Sequence, residues 1–187
     1  MMAATAERYG DWIQVRSGGK FYPLDPRPEE IHITDIAHAL SHVVRFTGHT
    51  SKPLSVAQHS VMVSWYCDPA DALWGLLHDA SEAYLSDIAR PVKQMPEMAP
   101  YREAERRLMA VICDRFGLPR EMPESVRRAD EMMLATESRD LMAPRHPEWE
   151  RWIGEVPSLP APMTTWGADA SREWFVSRYV LLGGRDL

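Results

Sequence analysis

Apolar residues recur at helical spacing through most of this 187-residue chain. From Thr34 or Asp35, either of which can cap a helix, Ile36, Ala39, Leu40, Val43 and Val44 share one face until Thr47-Gly48 interrupts the run. Ser55 with Gln58 forms a capping box that opens a helix carrying His59. Asp68-Pro69 supplies the cap and first position of a helix that runs to about Tyr84. Pro91, Pro96 and Pro100 punctuate a loop. A long helix follows from about Tyr101 to Phe116, closed by Gly117 and Pro119, and another from Glu124 to Met142. The last runs from Ala168 to Leu182 and is stopped by Gly183-Gly184.

Two stretches break this pattern. In residues 12–24, Trp12-Ile13-Gln14-Val15 and Lys20-Phe21-Tyr22 flank Ser17-Gly18-Gly19, a short hairpin signal, and Asp25-Pro26-Arg27-Pro28 is a linker. After Pro144, the prolines at 147, 157, 160 and 162 preclude regular structure to about Thr165. Trp149, Trp152 and Trp166 there are anchors for a strap packed on the helical body rather than a flexible linker. The expectation is an all-α fold of about five to seven helices with a short N-terminal β-hairpin. One domain spans residues 1–187, with its core at about 30–142 and the strap and C-terminal helix at 143–187.

Composition suits this picture, with 45% hydrophobic and 26% charged residues. The net charge of −6 argues against polymeric nucleic acid or an anionic membrane as partner, but leaves room for a small anion held by local cations. Those cations are mostly Arg; the lysines are Lys20, Lys52 and Lys93. Cys67 and Cys113 lack metal-type spacing and read as buried free thiols of a reducing compartment. Met1–Glu7 lacks the basic start and apolar core of a signal peptide, and no stretch approaches the roughly 18 apolar residues of a membrane span, so a cytoplasmic location is expected.

Candidate chemistry gathers on His59, the dyad His78-Asp79 and Asp130, one or two on each of three helical segments. Neutral nitrogen plus hard anionic oxygen suits Mn, Fe, Co, Ni or Zn better than Mg or Ca. Two His and two Asp leave open positions, as a catalytic site requires; the alternative is that the histidines are ordinary core or surface residues. Glu82 lies four residues after His78 on the same helical face, where a carboxylate can orient or deprotonate water, unless it is a solvated carboxylate or an ion-pair member. Asp87, just beyond that helix, can act as general acid to a leaving oxygen or bond a sugar hydroxyl; capping the next turn is the alternative. His38, His42, Arg45 and His49 form a polar stripe, either a solvated face or a pocket wall.

Larger motifs surround these residues. They are Ile36-Ala37-His38-Ala39-Leu40-Ser41, Arg45-Phe46-Thr47-Gly48-His49, Ser55-Val56-Ala57-Gln58-His59-Ser60, and Leu76-Leu77-His78-Asp79-Ala80-Ser81-Glu82-Ala83-Tyr84. Asp87-Ile88-Ala89-Arg90-Pro91-Val92-Lys93, Ala129-Asp130 and Thr136-Glu137-Ser138-Arg139-Asp140-Leu141-Met142 complete them. Over roughly residues 11–142 the chain resembles the HD-domain phosphohydrolases, most closely the small single-domain type related to 5'-deoxynucleotidases and phage deoxynucleoside triphosphohydrolases. The resemblance implies an HD-domain helical bundle in which His59, His78, Asp79 and Asp130 hold a divalent transition metal and Glu82 and Asp87 are catalytic. It further implies that Arg45, Phe46, His49 and Lys93 contact a small-molecule deoxynucleotide, and a homo-oligomer, dimer or higher, is expected. The nucleotidases usually carry Trp where this chain has Phe46, which bears on the contact to base or sugar. Three functions are compatible: release of phosphate from deoxynucleoside 5'-monophosphates, release of triphosphate from deoxynucleoside triphosphates, and a catalytically silent nucleotide-sensing module.

Overall fold

The computed structural model describes residues 8–144, 146–153 and 155–185, without the side chains of Glu150 and Trp152. The start Met1–Glu7 and the anchor expected of Trp152 lie outside the described residues. In order, the elements are β1 (Ile13–Gln14), β2 (Lys20–Phe21), α1 (Ile33–His42), α2 (Val56–Tyr66), α3 (Ala72–Leu77), α4 (Glu82–Leu85), α5 (Arg90–Lys93), α6 (Ala99–Phe116), α7 (Glu124–Leu141), α8 (Glu150–Ile153) and α9 (Ala168–Leu181), with short 3₁₀ turns between several of them. The protein is thus mainly helical with one small antiparallel hairpin, in which Ile13 faces Phe21 and Gln14 faces Lys20. Among the described residues no helix is long and apolar enough to cross a membrane.

Helix α2 is the hub, packing against α1, α3, α7 and α9. Its sequence explains the position: Ala57, Ser60 and Ser64 are small, so neighbours approach on every side, and all three are buried. Ser55 caps it by accepting from the Gln58 amide at 3.1 Å, the first half of the expected capping box; the Gln58 side chain does not return the bond. Burying Gln58 would cost free energy if its amide went unpaired, yet its Nε2 donates to the Thr164 carbonyl at 2.7 Å and its Oε1 accepts from Trp166 N at 2.7 Å. These bonds tie the strap to the hub. Helix α7 ties it as well: Leu159 N donates to Thr136 Oγ1 (2.9 Å), Met163 N to Asp140 Oδ2 (2.9 Å), and Arg139 to Ser158 Oγ (2.7 Å). The strap contains one short helix, α8, where no regular structure is expected from its prolines.

Four local expectations need correction. Neither Thr34 nor Asp35 caps α1, whose N-cap is His32. Asp35 instead accepts from Ser17 N (2.7 Å) and Ser17 Oγ (2.8 Å), fastening the hairpin to α1, while Phe21 stacks on Tyr84 with ring centroids 3.9 Å apart. Secondly, α1 stops at His42 instead of continuing through Val44. Val43 turns extended, Arg45 N donates to Leu54 O (2.9 Å) and Val56 N to Val43 O (3.0 Å), so a two-stranded bridge captures this β-branched pair. The stripe of His38, His42, Arg45 and His49 is therefore absent.

Thirdly, the dyad helix breaks after Leu77. His78 Nδ1 lies 2.8 Å from Gly75 O, the carbonyl that would otherwise receive the Asp79 amide in a continuous α-helix. The chain proceeds in tighter three-residue turns, with Ala80 N to Leu77 O and Glu82 N to Asp79 O both at 2.9 Å, before α4 begins. Fourthly, the proline-punctuated stretch is not a plain loop. It forms α5 and a 3₁₀ turn at Pro96–Met98, and α6 begins at Ala99 with Pro100 in its first turn, where proline costs little. Gly117, at φ +68°, closes α6 as expected. Cys67 and Cys113 are buried free thiols.

Candidate functional site

His59 enters from the first turns of α2, His78 and Asp79 from the end of α3, and Asp130 from the second turn of α7. Their donor atoms converge. His59 Nε2 is 3.2 Å from His78 Nε2, 3.1 Å from Asp130 Oδ1 and 3.7 Å from Asp79 Oδ2; His78 Nε2 is 3.2 Å from Asp79 Oδ2 and 4.0 Å from Asp130 Oδ1. Nitrogen and oxygen ligands about 2.1 Å from one ion lie about 3 Å apart when adjacent and about 4.2 Å apart when opposite. These five separations fall in that range, with Asp130 measured against the two histidines alone.

The histidine tautomers favour the same use. His59 Nδ1 lies 2.7 Å from the Glu137 carboxylate and His78 Nδ1 2.8 Å from the Gly75 carbonyl, and both partners can only accept. Each ring in its neutral form therefore places its proton on Nδ1 and turns the Nε2 lone pair into the cluster. Charge points the same way. Burial works against ionising Asp79, Asp130 and Glu137, but His78, His59 and Arg45 overcome it and hold all three below the usual carboxylate range. Against those three negative charges stands the single buried guanidinium of Arg45, leaving two in excess when the histidines are neutral. Without a cation the histidines take up the difference: burial and Arg45 oppose protonation of His59, yet Glu137 and Asp130 raise it to about 9, and Asp79 raises His78 against its burial. His59, His78 and Asp79 form a cluster that could hold a metal ion. Side-chain exposure climbs from none at His59 and 2% at His78 to 22% at Asp79 and 40% at Asp130, so solvent reaches the cluster from its carboxylate side.

Glu82 opens α4 beside this cluster. Its Oε2 is buried and has no hydrogen-bond partner. Burial first, then the charges of Asp79 and Asp87, push its carboxyl up to about 9. Asp87 is likewise raised, chiefly by burial and then by Asp79 against the opposing pull of Arg45. Between them Ser86 adopts φ +68°, a conformation costly for a residue with a Cβ, and the Tyr101 hydroxyl lies 2.9 Å from its carbonyl.

The remaining expected residues divide. Arg45 is drawn inward: Nε donates to Glu137 Oε2 at 3.0 Å and Nη1 is 3.6 Å from Asp79 Oδ2. Lys93 is ion-paired with Glu105 on α6, although its charge still acts on Glu82 and Asp87. Phe46 sits beneath the Arg45 guanidinium, 5.4 Å from ring centroid to Cζ, and 6.4 Å from the Trp149 ring. His49 is exposed and lines a separate cavity with His146 and Trp149. His38 and His42 stack on each other, with His42 Nδ1 2.8 Å from His38 O, and belong to a different face. Sequence reasoning missed Glu137. It is fully buried, bridges His59 and Arg45, and lies seven residues, about two turns, beyond Asp130 on the same face of α7.

Fold and cluster together define a helical protein with a buried histidine-aspartate cluster that could hold a metal ion. No family model matches the chain. The chain is 43% identical over 130 residues to the uncharacterized protein YfdR of Escherichia coli K12, an alignment covering 70% of this chain and 72% of that relative, and it belongs to the YfdR family. It is also 39% identical over 127 residues to the uncharacterized protein RCAP_rcc00048 of Rhodobacter capsulatus, covering 63% of this chain and 64%, slightly under two thirds, of that relative.

Proposed function

We propose that the protein is an HD-type, metal-dependent phosphohydrolase that releases phosphate from 2'-deoxynucleoside 5'-monophosphates. The observation that carries this reading is the convergence of His59, His78, Asp79 and Asp130 beside a buried, unpartnered Glu82 carboxyl. All four would be ligands, with Asp130 as the fourth, since its Oδ1 stands 3.1 Å from His59 Nε2. A bound Mn, Fe, Co, Ni or Zn ion would supply Lewis acidity, offsetting phosphate charge and making water easier to deprotonate.

The chain's own residues provide the proton transfers. Beside a bound cation the Glu82 carboxyl would shift back toward its ionised form, and that carboxylate would accept the proton as water attacks phosphorus. The bond from phosphorus to the 5' oxygen breaks, and Asp87, whose carboxyl burial pushes above its ordinary value, donates a proton to that leaving oxygen. Glu137 holds His59 in its ligating tautomer and pairs Arg45, which in turn offsets the charge of Asp79.

Release of triphosphate is disfavoured by the cation inventory. Arg45 and Lys93, the two expected phosphate contacts, are paired with Glu137 and Glu105, so little positive charge is left for two further phosphates. A silent sensor would not need a buried, unpartnered Glu82 carboxyl beside a raised Asp87 at its centre. A panel of deoxy- and ribonucleotides, with phosphate and triphosphate products separated chromatographically, tests the reading. Phosphate from deoxynucleoside monophosphates is the expected product; triphosphate from dATP or dGTP with monophosphates inert would replace it.

A further inference from the structure

The turn Arg45–Gly48 holds three successive residues at positive φ, with Phe46 at +55°, Thr47 at +53° and Gly48 at +79°. Two of these carry a Cβ, so the turn is strained and its shape is imposed by the bridge that precedes it. The turn carries Phe46, beneath the Arg45 guanidinium, and leads to the exposed His49. From Asp79 the path is short: Arg45 Nη1 is 3.6 Å from Asp79 Oδ2, the guanidinium lies 5.4 Å from the Phe46 ring centroid, and that ring lies 6.4 Å from Trp149.

Trp149 comes from the strap, at the end of the 3₁₀ turn Pro147–Trp149. With His49, His146, Ser138 and Met142 it lines a cavity of about 330 Å³. Helix α7 sets how far this cavity is from the metal ligands: Ser138 is eight residues beyond Asp130, about 12 Å along the helix axis. Thus an acidic, cation-seeking end and an aromatic-lined end are joined by one helix and one turn. Within the cavity, His146 Nδ1 accepts weakly from Glu148 N at 3.3 Å, which leaves the ring proton on Nε2 as a donor.

We infer that this cavity seats the nucleobase of a bound nucleotide, with Trp149, which lines it, as the aromatic surface against which the base stacks. The inference rests on the reading of the cluster as a nucleotide hydrolase. Stacking tolerates any base because every base has a π-face, so recognition here is of base against no base rather than of one base against another.

The test compares wild type, Trp149→Ala and Trp149→Phe on deoxyadenosine 5'-monophosphate and on 2-deoxyribose 5-phosphate, which lacks a base. Both turnover and equilibrium binding by calorimetry are measured, with the protein loaded with Mn or Co. Wild type should prefer the nucleotide, and Trp149→Ala should lose about ten- to a hundredfold of that preference through KM and Kd rather than kcat, as expected for one lost stacking ring. Trp149→Phe should recover most of it. If wild type binds the nucleotide through Trp149 but hydrolyses nothing, the hydrolase reading fails and the base seat stands. An unchanged preference in a folded Trp149→Ala protein, or no nucleotide binding by wild type, overturns the base seat.

Discussion

At Glu82 the protein keeps a carboxyl in a place that opposes its ionisation. Burial and the neighbouring Asp79 and Asp87 hold its proton, and one oxygen has no partner. Such an environment is unfavourable for structure and useful for proton transfer. Replacing it by Gln preserves size and neutrality, so Glu82→Gln should retain metal and fold while kcat falls by about 10² to 10⁴. Near wild-type kcat in a metal-replete variant would remove Glu82 from the chemistry. The residues of the candidate site were legible in the sequence: His59, His78, Asp79 and Asp130 come together and Glu82 lies beside them. What escaped was how charge is shared among them. Arg45 reads from sequence as a cation for substrate, and only the fold shows it turned inward onto Glu137 and Asp79. Glu137 escaped because a glutamate in an amphipathic helix looks like any solvated one until its face is known to be buried.

At the level of elements, the sequence located α6, α7 and α9 to within one or two residues, because long amphipathic runs declare their period, and the Ser55 cap located the start of α2. It failed at the two places that build the site. Helix α1 ends where Val43 and Val44 find strand partners from a segment ten residues away, and the dyad helix breaks where the His78 ring claims a carbonyl. Both are single side-chain or long-range events that leave no periodic trace. Gly75 sets how closely that helix packs. A Cβ there would stand 2.9 Å from Cys67 Sγ and 3.1 Å from Ser64 Cα, so only glycine lets α3 lie this close to α2. Gly75→Ala should destabilise the fold by about 1–3 kcal/mol in urea unfolding, the usual cost of overpacking. Because the Gly75 carbonyl orients His78, metal affinity should fall with it. Unchanged stability would show that the two helices separate without cost.

For the molecule as a whole, the cluster couples folding to pH and to cation binding. In the metal-free protein His59 titrates at about 9, against 6.5 when unfolded, and Glu82 at about 9, against 4.5. In both cases the folded state binds the extra proton, so the contribution is complete below the unfolded value and is lost as pH rises through the folded one. The lowered carboxylates Asp79, Asp130 and Glu137 act in the opposite sense, and their contribution is lost only as pH falls below the ordinary carboxylate range. Calorimetry in the presence of chelator should therefore show Tm falling from about pH 4.5, where Glu82 begins to lose its contribution, and more steeply from about 6.5 to 9, where His59 adds its own. The gain in Tm from added Mn or Co should widen over the same interval, because the ligands must be deprotonated to bind. A chelated protein with flat Tm across this range would contradict the charge balance described here. The most direct test of the central claim is the transition-metal content of the purified protein, measured by elemental analysis alongside Asp79→Ala. The expected result is about one ion per wild-type chain and a near-complete loss in the variant. Equal metal content in the two proteins, or none in a wild type given Mn, Fe, Co, Ni and Zn, would contradict it.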